Sequence, residues 1–175
     1  MKKFLFVCCF LAYISCQSQK SSASINASGD LVGVAVKSDF QKGAYKNWFQ
    51  AIESNYTPNK QVISQLKKKW KHVTIKAFMG TWCGDSKRET PRFYKVLEAA
   101  NFNLKKLEMI TVNRSKRTPN NLQAGHNIIR VPTFIFYKKG KEIGRYVEYP
   151  RETLEKDILK IVSKQPYKHS YDHSK

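Results

Sequence analysis

The sequence predicts an α/β fold in which helices flank a mixed central β-sheet. Short apolar runs, typical of buried strands, alternate with segments whose apolar residues recur every three or four positions, as in amphipathic helices. A Lys- and Gly-containing turn at 138–141 joins two strand-like segments as a hairpin. A strand–helix–strand unit favours a parallel pair and a hairpin is antiparallel, so the sheet should be mixed.

The first half of the domain is predicted to run from a strand through two helices to a second strand. Residues 31–36 are short and apolar, as a strand in a core is. Helical periodicity covers 45–55 and 60–70, and the Pro-containing stretch 57–59 separates these two helices. Residues 73–79 form an apolar run typical of a central strand.

The second half begins with a turn at 80–85 and ends with an amphipathic helix. The turn leads into a helix that contains Pro91. A polar, irregular stretch lies between the next two strands. The predicted segments are the helix 86–100, the strand 107–112, the irregular stretch 113–127, the strands 133–137 and 142–149, and the helix 151–162.

Composition restricts the function classes. With 41% hydrophobic residues, the 175-residue chain can form one packed domain and is too apolar for a disordered polycation. The net charge of +19 comes from 32 Lys and Arg against 13 Asp and Glu, in scattered clusters without a nucleic-acid-binding motif. We therefore expect no nucleic-acid partner. The basic clusters are interpreted as solvated surface, with long-range attraction to acidic proteins or to an anionic membrane surface as the alternative. We also expect a monomer.

The amino terminus has the pattern of an export signal. Two lysines precede an apolar run at 4–14, which is shorter than the roughly 20 residues of a membrane span. Ser15 and Cys16 follow, and this resembles a bacterial lipoprotein signal, although Tyr13 stands where Leu is usual. The resemblance implies that 1–15 is removed and that Cys16 is lipidated, placing the protein at the cell envelope, facing the periplasm. Ordinary signal cleavage nearby or an uncleaved anchor are the alternatives.

Three further regions follow the signal in this reading. The Ser-rich residues 16–30 are predicted to be a flexible tether, 31–163 the folded domain and 164–175 a disordered polar tail. Cys83 is then the only thiol of the domain. Neither His72 nor His126 has a second ligand at metal spacing, so we expect no metal site.

Cys83 is the candidate reactive residue because it follows a predicted core strand and opens a helix. The unpaired N–H groups of the first helical turn favour a thiolate there. Lys87 and Arg88 add to this effect and Asp85 opposes it. Ser86 is three residues on, where its hydroxyl could donate to the sulfur.

The residues Thr81-Trp82-Cys83-Gly84-Asp85-Ser86 resemble the active-site turn of the thioredoxin superfamily, Trp-Cys-Gly-Pro-Cys. Val131-Pro132-Thr133 is similar to the family's Ile-Pro-Thr, whose cis proline faces the catalytic cysteine, and Pro91 matches its helix-kinking proline. The resemblance covers about residues 60–163. It implies a thioredoxin-like fold with Cys83 as nucleophile.

Two departures from the family pattern bear on the chemistry. Ser86 stands where the family has its resolving cysteine, and Ala77 stands where it has a buried acid. A serine cannot release a mixed disulfide by attack on sulfur. The acid serves the resolving thiol, so the two losses are consistent with each other. They disfavour a dithiol reductase.

Two principal hypotheses remain. In the first, Cys83 and Ser86 carry out monothiol thiol–disulfide exchange on disulfide- or thiol-containing envelope proteins. Gly84 would allow a tight turn, and the substrate would contact the groove of Trp82, Gly84, Asp85 and Val131-Pro132-Thr133. In the second, the groove binds a peptide without turnover.

Other readings are weaker. Cys-Gly-Asp-Ser is also similar to the Cys-Gly-Phe-Ser of monothiol glutaredoxins, which share an iron–sulfur cluster with glutathione, but export and Trp82 argue against that, so we expect no cofactor. Glu148, Asp85 and Glu89 are candidates to line the cleft, although a position on the exposed helix surface fits Glu89 better.

Overall fold

The computed structural model describes residues 20–173 and has a six-stranded mixed sheet flanked by helices, which confirms the predicted fold class. The strands lie in the order β1-β2-β4-β3-β5-β6. They are β1 (Ser24–Ile25), β2 (Leu31–Ala35), β3 (Val73–Met79), β4 (Leu107–Thr111), β5 (Thr133–Lys138) and β6 (Lys141–Val147). The helices are α1 (Lys37–Phe40), α2 (Lys46–Asn55), α3 (Lys60–Leu66), α4 (Gly84–Ala99) and α5 (Leu154–Val162).

The central strands determine where the loops meet. β3 and β4 are parallel, and α4 lies between them in the chain. β5 is antiparallel to β3, with Ala77 opposite Phe134. The residues after β3, the residues after β4 and the residues before β5 therefore lie at the same edge of the sheet.

The main core lies on one face of the sheet, where buried residues from all five helices pack. Alternate residues of β3 point to this face because successive side chains of a strand alternate. Phe93 of α4 stacks on Phe134 with ring centroids 4.0 Å apart, and Phe134 stacks on Tyr146 at 5.2 Å. The opposite face carries a smaller cluster around Phe78, which Leu122 and Ile128, both between β4 and β5, help to cover.

The described part of the predicted tether is a folded hairpin. β1 pairs with β2, with Ser24 opposite Val32. The side chain of Asn26 accepts from the N–H groups of Ser28 and Asp30, each at 2.9 Å, and this bonding closes the turn. The prediction of flexibility is therefore wrong over 20–30, where a turn held by Asn26 lets β1 pair with β2. Residues 1–19, with Cys16, lie outside the described residues.

The carboxy-terminal segment also packs on the domain, so the prediction of a disordered tail is wrong over its described part. The Tyr167 hydroxyl donates to the Asp157 carboxylate at 3.2 Å. Ser170 is buried, and its hydroxyl donates to the Tyr149 carbonyl at 2.7 Å. Burial raises the pKa of Asp157, although two backbone N–H groups donate to it. The tail thus supplies one of the donors that this buried carboxyl group receives.

Within residues 20–173, none of the helices combines the length and the apolar character needed to cross a membrane.

We expect truncation after Gln165 to lower the free energy of unfolding by about 1–3 kcal/mol, because it removes the Tyr167 hydrogen bond to a buried carboxyl group and uncovers that region. Urea denaturation of the two proteins measures the difference. Truncation after His173 is the matched control and should leave stability unchanged. If the protein truncated after Gln165 were as stable as the full chain, packing of the tail would be contradicted.

Candidate functional site

Cys83 lies at the junction of β3 and α4, as the sequence predicts. Its N–H donates to the Gly80 carbonyl at 3.0 Å, and its own carbonyl accepts from the Lys87 N–H at 3.0 Å. The residue is the N-cap of the 16-residue helix α4, which begins at Gly84 rather than at the expected Ser86. The thiol is free and half-buried at the amino-terminal end of this helix.

The loop before β5 faces the Cys83 thiol. The thiol donates to the Val131 carbonyl, with sulfur and oxygen 3.3 Å apart. The Val131–Pro132 peptide bond is cis, and Val131, Pro132 and Thr133 are all buried. The Thr133 hydroxyl donates to the Arg130 carbonyl at 2.7 Å, and this bond closes the loop from Arg130 to Thr133 around the cis peptide bond. The structure therefore brings these predicted groove residues next to Cys83.

Gly80, and not Gly84, is the glycine that the turn requires. The Trp82 indole lies on Gly80, so that a Cβ at residue 80 would be 2.5 Å from ring atoms. The indole N–H donates to the Val112 carbonyl at 2.9 Å and holds the ring in place. Gly84 does not have a positive φ, and a Cβ there would meet nothing within 4 Å. The expectation that Gly84 allows a tight turn is corrected accordingly.

Ser86 has a structural role in the turn that sequence reasoning did not predict. The side chain is fully buried, and its oxygen accepts from the Gly80 N–H at 3.2 Å. We expected this hydroxyl to serve the sulfur, but the thiol donates to Val131 instead. Ala77 is also fully buried, opposite Phe134 on the adjacent strand. At the two positions that depart from the family pattern, Ser86 thus meets a main-chain donor and Ala77 lies opposite an aromatic residue.

A row of ion pairs extends along α4 away from Cys83. Asp85 pairs with Arg88 at 2.6 Å, and Arg88 also contacts Glu89 at 2.7 Å. Arg92 reaches the same Glu89 oxygen at 3.1 Å. Glu89 is fully buried, so its expected surface position is wrong. Its spacing of four residues before the apolar Phe93, on the same helix face, is the signal that indicates burial.

Glu89 also affects a neighbouring tyrosine. Burial, together with the charge of Glu89, raises the pKa of the Tyr146 phenol. This tyrosine is therefore neutral across the physiological range, and the buried charge near it is the carboxylate that Arg88 and Arg92 contact.

Two arginines stand at the same edge of the sheet as Cys83, and sequence reasoning missed both. The Arg114 guanidinium lies 5.8 Å from the centre of the Trp82 ring. The Arg130 guanidinium lies 4.8 Å from the centre of the Tyr171 ring, whose hydroxyl donates to Glu148. The N–H of Glu148 donates to the Pro132 carbonyl at 2.8 Å, so this group adjoins the loop that faces Cys83. The sequence offers no local signal for Arg130, because its ring partner is 41 residues away in the chain.

The described residues include no cluster of three His, Cys, Asp or Glu side chains that could hold a metal ion.

A family model described as thioredoxin matches residues 35–160, most of the chain and all of the site. The chain belongs to the thioredoxin family. Among curated relatives, a thioredoxin-like protein of Acanthamoeba polyphaga mimivirus is 34% identical over 89 residues, which are 51% of this chain and 62% of the relative. The chain thus matches less than two thirds of that relative's length.

Solved structures similar to this thioredoxin-family chain have low sequence identity. A Pseudomonas aeruginosa protein of unknown function is 16% identical, covering 74% of this chain and 75% of its own, with a TM-score of 0.45. Fasciola hepatica thioredoxin is 17% identical over 59% of this chain and 89% of its own, with a TM-score of 0.39. Plasmodium falciparum thioredoxin is 20% identical over 63% of this chain and 97% of its own, with a TM-score of 0.37.

We expect Gly80→Ala to lower the free energy of unfolding of this thioredoxin-family protein by about 1–3 kcal/mol, because the added methyl group must displace the Trp82 indole. Denaturant unfolding measures the loss, and the rate of Cys83 alkylation reports the displacement at the site. Gly84→Ala is the matched control, for which we expect a change within about 1 kcal/mol. A larger loss for Gly84→Ala than for Gly80→Ala would refute this account of the turn.

Proposed function

We propose that this protein carries out monothiol thiol–disulfide exchange through Cys83. One observation carries the proposal. The Cys83 thiol is partly exposed and opposes the Val131 carbonyl, whereas the residue three positions on is a buried serine whose oxygen accepts from the Gly80 N–H. A nucleophile is therefore present beside the loop before β5, and within residues 20–173 no second cysteine is present to resolve its mixed disulfide. Thioredoxin-family membership supports the redox role.

The proposed reaction has two exchange steps. The Cys83 thiolate attacks one sulfur of a substrate disulfide, so that a new S–S bond forms, the old one breaks and the other substrate sulfur leaves as a thiolate. A second thiolate then attacks the mixed disulfide at the substrate sulfur and releases Cys83. When that thiolate belongs to the substrate, the disulfide is rearranged without net oxidation. When it belongs to a separate low-molecular-weight thiol, that thiol takes over the substrate sulfur as a mixed disulfide.

The groove residues position the substrate in this scheme. Trp82 offers an apolar edge that its bond to Val112 keeps in place, and the buried Val131, Pro132 and Thr133 form the opposite side. Gly84 and Asp85 follow the sulfur on the helix, where Asp85 is paired with Arg88. Ser86 contributes by fixing Gly80, and therefore the turn, rather than by touching sulfur.

We further propose that the signal at 1–15 directs export and that a lipid on Cys16 anchors the protein to the envelope, where thiol- or disulfide-containing envelope proteins are its substrates. The basis is the order of the positive, apolar and small-residue segments before Cys16. The protein would act as a monomer without a cofactor.

Mixed disulfides with a cysteine-containing peptide test the exchange. We expect the wild-type adduct to persist until an external thiol is added, because Ser86 cannot attack it. Ser86→Cys should release the peptide without external thiol and form an internal disulfide, as mass spectrometry would show. Cys83→Ser should form no adduct. Spontaneous release of the peptide from the wild type would contradict monothiol resolution. If the wild type formed no adduct and Cys83→Ser bound the peptide as well as the wild type does, the site would be a non-catalytic binding groove.

Labelling of the full chain with a fatty acid in a bacterial host tests the anchor. We expect Cys16→Ser to lose the label and the membrane association, because the acceptor sulfur is removed. Cys8→Ser is the matched control within the signal and should keep both. Retention of the label in Cys16→Ser would refute lipidation at this residue.

A further inference from the structure

Positive charge stands on both sides of Cys83 along one edge of the sheet. Arg114 follows β4, Cys83 follows β3 and Arg130 precedes β5. Because β3 and β4 are parallel and β5 is antiparallel to β3, these three positions lie at the same edge, with Cys83 in the middle. Neighbouring strands are about 4.8 Å apart, so the strands that lead to the two arginines are about 10 Å apart.

Aromatic rings hold both guanidinium groups at this edge while leaving them accessible. Arg114 lies over Trp82 and its side chain is 71% exposed; Arg130 lies over Tyr171 and its side chain is 52% exposed. Stacking on a ring orients a guanidinium group without consuming its hydrogen-bond donors. The two groups therefore remain able to bind an anion.

The carboxylates near this edge are less exposed than the arginines. Asp30 pairs with Arg114 at 3.9 Å and Glu148 with Arg130 at 4.0 Å, and the two carboxylate side chains are 8% and 13% exposed. Asp85 is engaged by Arg88 at 2.6 Å. The groups that an incoming chain meets first are thus the arginines.

We propose that the Cys83 site selects disulfides whose substrate cysteine is flanked by acidic residues on both sides. This proposal rests on the exchange function proposed above and specifies its substrate class. An extended chain advances about 3.3 Å per residue, so carboxylates one or two positions before and after the substrate cysteine would reach the two arginines when its sulfur meets Cys83. Charge pairing with Arg114 and Arg130 accelerates encounter and orients the chain across the groove.

Three peptides of equal length test this substrate class. Each carries one cysteine as a mixed disulfide with 2-thiopyridine, flanked on both sides by Glu, by Gln or by Lys. Attack by Cys83 on the peptide sulfur forms the protein–peptide disulfide and releases 2-thiopyridone, which is followed by absorbance. Rates with free 2-mercaptoethanol correct for the intrinsic reactivity of each peptide.

We expect the wild type to react about tenfold faster with the Glu peptide than with the Gln peptide at low ionic strength, with the Lys peptide slowest. The preference should shrink in high salt because screening shortens the range of the charges. The double variant Arg114→Gln, Arg130→Gln should lose most of the preference, and its rate with uncharged 2,2'-dithiodipyridine corrects for any change in the reactivity of the Cys83 thiol itself. Lys68→Gln, an exposed charge after α3, is the matched control and should keep the preference.

The outcomes separate the two proposals. Equal rates for the three peptides, or a preference that survives in the double variant, would overturn the acidic substrate class and leave the exchange function standing. No adduct with any peptide would overturn both. Binding to vesicles that contain anionic lipid is measured with the same variants. Loss of that binding with unchanged peptide rates would assign the arginines to a membrane surface and overturn the substrate class.

Discussion

The pairing of β5 with β3 is the constraint on which the site depends. Phe78 lies opposite Thr133 and Ala77 opposite Phe134, and this register places the loop before β5 against the turn after β3. The contact between the Cys83 thiol and the Val131 carbonyl follows from it. A slip by one residue would move the carbonyl by about 3.3 Å and turn Phe134 out of its stack with Phe93. The aromatic core and the reactive edge are therefore fixed by the same hydrogen bonds.

The turn itself depends on Gly80 in two ways, through its N–H group and through its missing side chain. Its N–H would be a buried donor without a partner, and the Ser86 hydroxyl accepts from it. Its missing side chain leaves room for the Trp82 indole, which the Val112 carbonyl holds. This explains why a serine suits position 86 even though the Cys83 thiol donates to Val131 and not to its hydroxyl. Through Ser86 and Trp82, Gly80 also connects the end of β3 to the start of α4 and to Val112 after β4.

Local sequence patterns predicted the features that depend on neighbours in the chain. The periodicity of α5, the apolar runs of β3 to β5 and the Trp-Cys-Gly and Val-Pro-Thr motifs each arise within a few residues. The errors concern pairing and burial, which depend on the folded surroundings and not on the local pattern alone. The pairing of Ser24 with Val32 was hidden by a linker-like composition, and the stacking of Tyr171 on Arg130 links the tail to a loop before β5. The burial of Glu89 is not evident from the sequence, because its partners are two partly exposed arginines on the same helix, a pattern that also fits a solvent-exposed face.

The substitutions at positions 77 and 86 have a joint physical consequence. A carboxylate at position 77 would be fully buried opposite Phe134, where an unpaired charge is costly, and without a thiol at position 86 it would have no proton to accept. The chain instead buries Glu89 farther along α4, where Arg88 and Arg92 balance it and Arg88 also engages Asp85. Under the proposed exchange, no thiol at position 86 then shortens the life of the mixed disulfide. Its lifetime depends on a second thiol that the substrate or the solution supplies, so contacts along the edge beside Cys83 influence both which chain binds and how long it stays.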